Sequence, residues 1–373
     1  MARSTNNPWL HRFSVLTALA TLALLGVGGV VTSKGVGMAV PDWPTTYGYN
    51  MFFFPISKWT GGIFYEHSHR LVASGVGFLT TILAIWLWLK ESRAWLRWLG
   101  VVAFATVVLQ GVLGGLRVVL FKDEIGIFHA TLAQLFFALV CAMALFTSKW
   151  WKDLPPPIAP SSPGEGEQEH LNNVRRLRSL FLLSTILIFV QLVLGATMRH
   201  QHAGLAIPDF PLAYGKVWPA TDPASVSLYN AQRMEITAVN PITATQIFLQ
   251  MSHRLMAVAI LVCVGLVAWD AKKRSPVSPF PVSRAIRRLS CSWVGLILAQ
   301  VGLGAWTIWS NKAADVATAH VLVGALSLVT GVLGCIICFR RLSVPVGAKF
   351  AAASFEASRA SHYRVDPATA LNQ

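Results

Sequence analysis

Long apolar runs alternate with short polar segments along the whole chain. Eight of them, residues 13–31, 63–89, 99–116, 125–146, 180–198, 242–269, 289–309 and 316–339, approach or exceed the ~20 residues that a helix needs to cross a bilayer core. Each predicts a transmembrane helix. The first has the length of a signal sequence, but no small-residue cleavage site leading into a soluble domain follows it, and it is expected to be retained.

Composition sharpens this picture. Of 373 residues, 54% are hydrophobic and 13% charged, about half the charged fraction of roughly 25% usual in soluble domains. The net charge of +15 would suit nucleic acid, but the basic residues lie in alternate loops and not along one surface, which excludes that class. The N-terminus, the loops after spans two, four and six, and the C-terminal tail hold 21 of the 31 Lys and Arg. By the positive-inside bias, both termini are cytoplasmic. Cys141, Cys263, Cys291, Cys335 and Cys338 all fall within or at the ends of spans, so no structural disulfide is expected.

The chain repeats itself. Residues 37–48 read GMAVPDWPTTYG and residues 204–215 read GLAIPDFPLAYG, in register across 167 positions. Further along, Ser68-His69-Arg70-Leu71 matches Ser252-His253-Arg254-Leu255, Gln110 with Gly114 matches Gln300 with Gly304, and His129 matches His320. Four spans per repeat makes corresponding helices cross in the same direction, as parallel repeats do. The expected fold class is therefore an all-α polytopic membrane protein: eight transmembrane helices in two parallel-repeat four-helix bundles. The expected division is residues 1–150 for the first bundle, 151–177 for a cytoplasmic linker rich in Pro, Ser, Gly and Glu, 178–341 for the second bundle and 342–373 for a cytoplasmic tail. Gly111, Gly114, Gly115, Gly302 and Gly304 read as sites of close helix packing.

Four histidines occupy equivalent places, one each on spans two, four, six and eight: His69, His129, His253 and His320. All four fall toward the outer ends of their helices. A single intramembrane histidine is as well explained by a hydrogen-bonded core side chain as by a ligand. Two per bundle, at similar depth, can approach an iron porphyrin from opposite faces. Zinc would need three or four ligands per site and is disfavoured. Arg70 and Arg254 follow a candidate ligand each and could pair with haem propionates or reach lipid phosphate. His11, His170, His200, His202 and His362 read as solvated, and His67 points away from His69.

The segments Glu66-His67-Ser68-His69-Arg70, Phe128-His129-Ala130, Gln250-Met251-Ser252-His253-Arg254 and Ala319-His320 resemble the haem A synthase family over nearly the whole membrane region. The resemblance implies oxidation of the C8 methyl of haem O to a formyl group, giving haem A for terminal oxidases. It implies haem O and haem A as substrate and product in the N-terminal half, between the metal ligands His69 and His129. It implies haem b in the C-terminal half, ligated by His253 and His320. Its expected partners are haem O, membrane lipid, a haem O synthase and an electron donor, and its setting is a bacterial inner membrane with the haem sites toward the outer side.

Glu66 lies three residues before His69, on the same helix face, whereas the neutral Gln250 holds that place before His253. The asymmetry makes Glu66 the candidate catalytic residue, handling protons or steadying positive charge. A helix-start carboxylate is the structural alternative. The Pro-Asp-Trp-Pro and Pro-Asp-Phe-Pro segments are expected to be rigid outer loops capping the two sites. Part of the family carries a cysteine pair in the first outer loop, and this loop has none. A di-haem electron carrier and a haem-handling membrane protein remain as other uses of four bundled histidines.

Overall fold

The computed structural model describes residues 7–154, 165–234, 241–273 and 280–341. Ten helices are found there: α1 (Pro8–Ser33), α2 (Gly61–Lys90), α3 (Ala94–Val119), α4 (Asp123–Thr147), α5 (Lys149–Lys152), α6 (Glu165–His200), α7 (Pro223–Met234), α8 (Ala244–Lys273), α9 (Phe280–Trp309) and α10 (Ala314–Arg341). Eight of them, all but α5 and α7, are long and apolar enough to cross a membrane. The protein is an integral membrane protein, and each of the eight expected spans falls within one of these helices apart from two residues at the start of the sixth.

Local signals fix several helix ends. Asn7 caps α1 by accepting hydrogen bonds from Trp9 N and Leu10 N, with Pro8 at the first helical position. Asp123 and Glu124 start α4, where the helix dipole favours negative charge. Two departures from expectation stand out. α6 begins at Glu165, so the second part of the expected linker is helical, because between Gly166 and Leu177 the sequence carries neither Pro nor Gly to interrupt a helix. The connection between α6 and α8 contains a further helix, α7, where the described connection between α1 and α2 has only short 3-10 turns at Met51–Phe53 and Ile56–Lys58. Residues 155–164 and the 342–373 tail lie outside the described residues.

In the N-terminal half α1 packs on α2, α2 on α3, α3 on α4 and α4 on α1. In the C-terminal half the same cycle runs α6, α8, α9, α10. Leu10, Leu83, Leu87, Leu96, Val140 and Met143 form the core of the first bundle. Phe181, Val264, Trp293, Ile297, Leu328 and Cys338 belong to the core of the second. The halves meet where α10 touches α1 and α4, and where α4 touches α6. Phe137 and Ala138 of α4 pack there against Ala325 and Val329 of α10. About half of the membrane segment of each of these two helices is buried, far more than of any other, which makes them the central pair. All five cysteines are free thiols.

The loops after α1 and α6 show why their repeated residues are those residues. Tyr47 and Gly48 both have positive φ (49° and 76°), as do Tyr214 and Gly215 (53° and 73°), the signature of a type I′ turn. Thr46 pairs with Tyr49 and Ala213 with Lys216 to close each turn. Asp42 accepts from Tyr47 N at 2.7 Å and Gly48 N at 2.9 Å. Asp209 accepts from Tyr214 N and Gly215 N at the same two distances. Each tyrosine hydroxyl then donates back along the loop, Tyr47 to Ala39 O and Tyr214 to Ala206 O. Although partial burial of Asp42 disfavours its charged form, the hydrogen bonds from Gly48 N–H, Thr45 O–H and Tyr47 N–H outweigh that and hold its carboxyl below the usual carboxylate value.

Candidate functional site

Each of the four repeated histidines faces a glycine on the helix beside it. The Cα of Gly28 (α1) lies against the imidazole of His69 (α2), Gly114 (α3) against His129 (α4), Gly195 (α6) against His253 (α8) and Gly304 (α9) against His320 (α10). A methyl group built on these glycines would stand 3.0, 3.2, 3.4 and 3.4 Å from the respective ring carbon Cε1. At Gly28 and Gly114 the missing side chain is therefore what admits the ring, whereas at Gly195 and Gly304 a methyl would make an ordinary contact. Gly28 and Gly195 are 167 residues apart, the same offset as the loop repeat, and could have been paired from the sequence; Gly114 and Gly304 were read there as packing alone.

The Nδ1 atoms of all four rings are buried and have no hydrogen-bond partner among the described residues. A hydrogen-bonded core histidine, the bland alternative, does not describe them. The rings of His253 and His320 stand 6.5 Å apart between centres, inclined at 60°. Two imidazoles bonded through about 2.0 Å to opposite sides of one metal ion have centres roughly 6.4 Å apart, so this pair fits a shared ion. Among the described residues no group of three or more His, Cys, Asp or Glu is arranged to hold a metal.

Glutamines brace three of the four from behind. Gln110 donates to the backbone carbonyl of His129 at 3.1 Å, Gln191 to that of His253 at 2.9 Å and Gln300 to that of His320 at 2.6 Å. These bonds fix the helix that carries each ring against its neighbour.

Glu66 is 3% exposed. One oxygen accepts from Val40 N at 2.8 Å, and the other from Arg70 at 2.7 Å. Gln250 holds the equivalent loop position, accepting from Ile207 N at 2.7 Å and donating to Ile207 O at 3.2 Å. Both side chains thus tie a cap loop to a histidine helix, and only Glu66 adds a charge. Arg70 donates to Val40 O, Asp42 O and Thr45 O as well as to Glu66. Arg254 donates to Asp209 O and Leu212 O. The loop carbonyls, which the sequence did not suggest as partners, take the terminal nitrogens of both arginines.

Three other histidines differ from expectation or refine it. His11, read as solvated, places Nδ1 3.0 Å from Ala144 O on α4, because α1 begins early enough to bring it under that helix end. His200, also read as solvated, is 8% exposed at the end of α6, which runs two residues further than the apolar pattern, and lies 3.8 Å from Asp123. His67 is fully buried: Nδ1 sits 3.2 Å from Thr46 Oγ1, and its ring packs against Phe54 and Trp59. His202 is exposed, and the side chains of His170 and His362 lie outside the described residues.

Fold and site together define an integral membrane protein that presents intramembrane histidines in repeated, glycine-backed positions. The chain belongs to the COX15-CtaA family of cytochrome oxidase assembly proteins, which it matches over residues 11–332. Among similar proteins is the heme A synthase of Geobacillus kaustophilus, 27% identical over 340 residues, 87% of this chain and 89% of that one. The heme A synthase of an Exiguobacterium species is 26% identical over 316 residues, 83% of this chain and 87% of its own length. That of Rhizorhabdus wittichii is 25% identical over 358 residues, 86% and 91% of the two chains.

Proposed function

We propose that this protein is a haem A synthase, an oxidoreductase that converts the C8 methyl of haem O to a formyl group and so supplies haem A for terminal oxidases. Family membership and the names of relatives matched over nearly their full length support this. The observation that carries the site is the set of four glycine-backed imidazoles with buried, unpartnered Nδ1 atoms. In this reading His253 and His320 hold a resident haem b, and His69 and His129 flank the substrate. A bound haem supplies iron-centred electron transfer. The protein's part is to orient it, exclude water and place Glu66.

Glu66 is the residue of the N-terminal site able to hold negative charge or carry a proton, and its ion pair with Arg70 keeps it on the His69 face of α2. Gln250 marks the other half as the carrier. Arg70 and Arg254 hold the caps over the two sites, and any contact they make with haem propionates shares donors with the loops. The haem sites lie toward the outer side of a bacterial inner membrane, with both termini in the cytoplasm, on the distribution of Lys and Arg. Two parallel repeats of four spans each, joined by residues 151–177, account for the matching helix contacts. A haem O synthase would deliver substrate, and a separate donor the electrons.

The test is to purify the full chain from a host that makes haem O, extract its haem and identify the porphyrins by chromatography and mass spectrometry. Haem B together with haem A or hydroxylated haem O is expected in the wild type, with oxidation lost in Glu66→Gln. Haem B alone in both, with haem O available, would overturn the proposal in favour of a di-haem electron carrier.

A further inference from the structure

At the outer end of the seam between the halves, Arg117 and His200 face one carboxylate, Asp123, and Arg199 is the residue before His200. Arg117, in the last turn of α3 and 15% exposed at its side chain, lies 3.2 Å from Asp123. Its Nε is buried with no partner among the described residues. Gly126, one turn before His129 on α4, leaves the space that this Nε and the His200 imidazole share. Arg199, at the end of α6, crosses the seam to donate to Gly29 O and Ser33 Oγ on α1. Ser33 in turn lies 3.5 Å from Thr318 on α10.

Among the described residues, Asp123 is the one carboxylate within salt-bridge distance of any of these cations, and it is 47% exposed. Like charges drawn together where hydration is poor repel and lose solvation unless anions join them. The seam also borders both candidate sites: Arg117 lies one turn beyond Gly114, which faces His129, and Arg199 lies one turn beyond Gly195, which faces His253, and reaches Ser33, the neighbour of Thr318 two residues before His320. Arginine forks match carboxylates two bonds at a time, whereas the terminal nitrogens of Arg70 and Arg254 are taken by the loops.

We propose that Arg117 and Arg199 seat the carboxylate side chains of the bound porphyrins, Arg117 for the N-terminal site and Arg199 for the C-terminal one. The inference rests on the haem reading above. It makes the seam a shared anion clamp, so that a porphyrin in either site stabilises the contact between halves.

The experiment titrates the full chain, produced in haem-starved cells and kept in detergent, with ferric protoporphyrin IX and with its dimethyl ester, reading binding from the Soret band. The wild type should prefer the diacid by about tenfold or more, the scale of a charged hydrogen bond. Arg117→Gln and Arg199→Gln should weaken the diacid and leave the ester unchanged, and Arg117→Lys and Arg199→Lys should restore most of the preference. Ester binding serves as the folding control. An equal affinity for diacid and ester in the wild type, a preference undiminished in the glutamine variants, or an equal loss of both ligands would each overturn the clamp and leave lipid phosphate as the seam's anion. Binding of neither porphyrin by the wild type would instead remove the haem reading itself.

Discussion

Gln191 on α6 donates a 2.9 Å hydrogen bond to the backbone carbonyl of His253, and the residue one repeat earlier, Leu24, has no donor to offer His69. Three candidate ligands are braced in this way and the fourth is not. The unbraced one belongs to the half assigned to substrate, which must enter and leave.

Removing the brace should therefore loosen a resident haem. Gln191→Leu is expected to speed haem transfer from the C-terminal site to apomyoglobin by roughly threefold to tenfold, the worth of one hydrogen bond, and Leu24→Gln to slow it from the N-terminal site. Unchanged rates in both variants would show that the glutamines do not govern exchange.

The glycines make a graded prediction. A methyl at Gly28 would stand 3.0 Å from the His69 ring, and one at Gly195 3.4 Å from that of His253. Gly28→Ala must displace His69 by a few tenths of an ångström, whereas Gly195→Ala makes an ordinary contact. Haem content and the low-spin absorption spectrum should fall in the first and persist in the second.

Structural and chemical roles of Glu66 can be separated. Glu66→Gln keeps an acceptor for Val40 N, as Gln250 does for Ile207 N, though not the charge facing Arg70, and should lower the melting temperature less than Glu66→Ala while removing oxidation. Glu66→Ala leaves Arg70 without its buried carboxylate and should lower stability by about 3 kcal/mol as well. Equal melting temperatures for the two variants would contradict the loop-tying role.

Asp42 links the first cap to pH. Its carboxyl is held below the usual value, so its contribution is complete above the ordinary carboxylate pKa near 3.9 and is lost as pH falls through the lower folded value. Fluorescence of Trp43, whose indole packs on Gly115, should report an acid transition in the wild type. Asp42→Asn should already show the loosened cap at neutral pH.

The spans were legible because apolar length in a bilayer is nearly sufficient to define a helix. The histidines were legible because the repeat set them in register. What escaped the sequence depended on tertiary neighbours. Arg70 and Arg254 look alike as membrane-edge cations, and only the loop's fold reveals carbonyls within their reach. His200 looked solvated until the packing of α6 against α4 brought it to Asp123. Gln191 had no repeat counterpart to draw attention, since its importance lies in the difference from Leu24. The helix α7 was missed because it is short and polar, with no apolar run to mark it.

The contact between Ser33 and Thr318 spans 285 residues of chain, and it bears on how the protein is made. α1 leaves the ribosome before the other described helices, and α10, one of its packing partners, leaves after them. The first bundle has its full cycle of helix neighbours once α4 is inserted, so it can pack while the second half is still being translated. Closure of the seam waits for the final helix, the most costly loop to close and the slowest contact to find. Until then the faces of α1 and α4 that meet α10 stay open to lipid, and the two halves join only once α10 is in place.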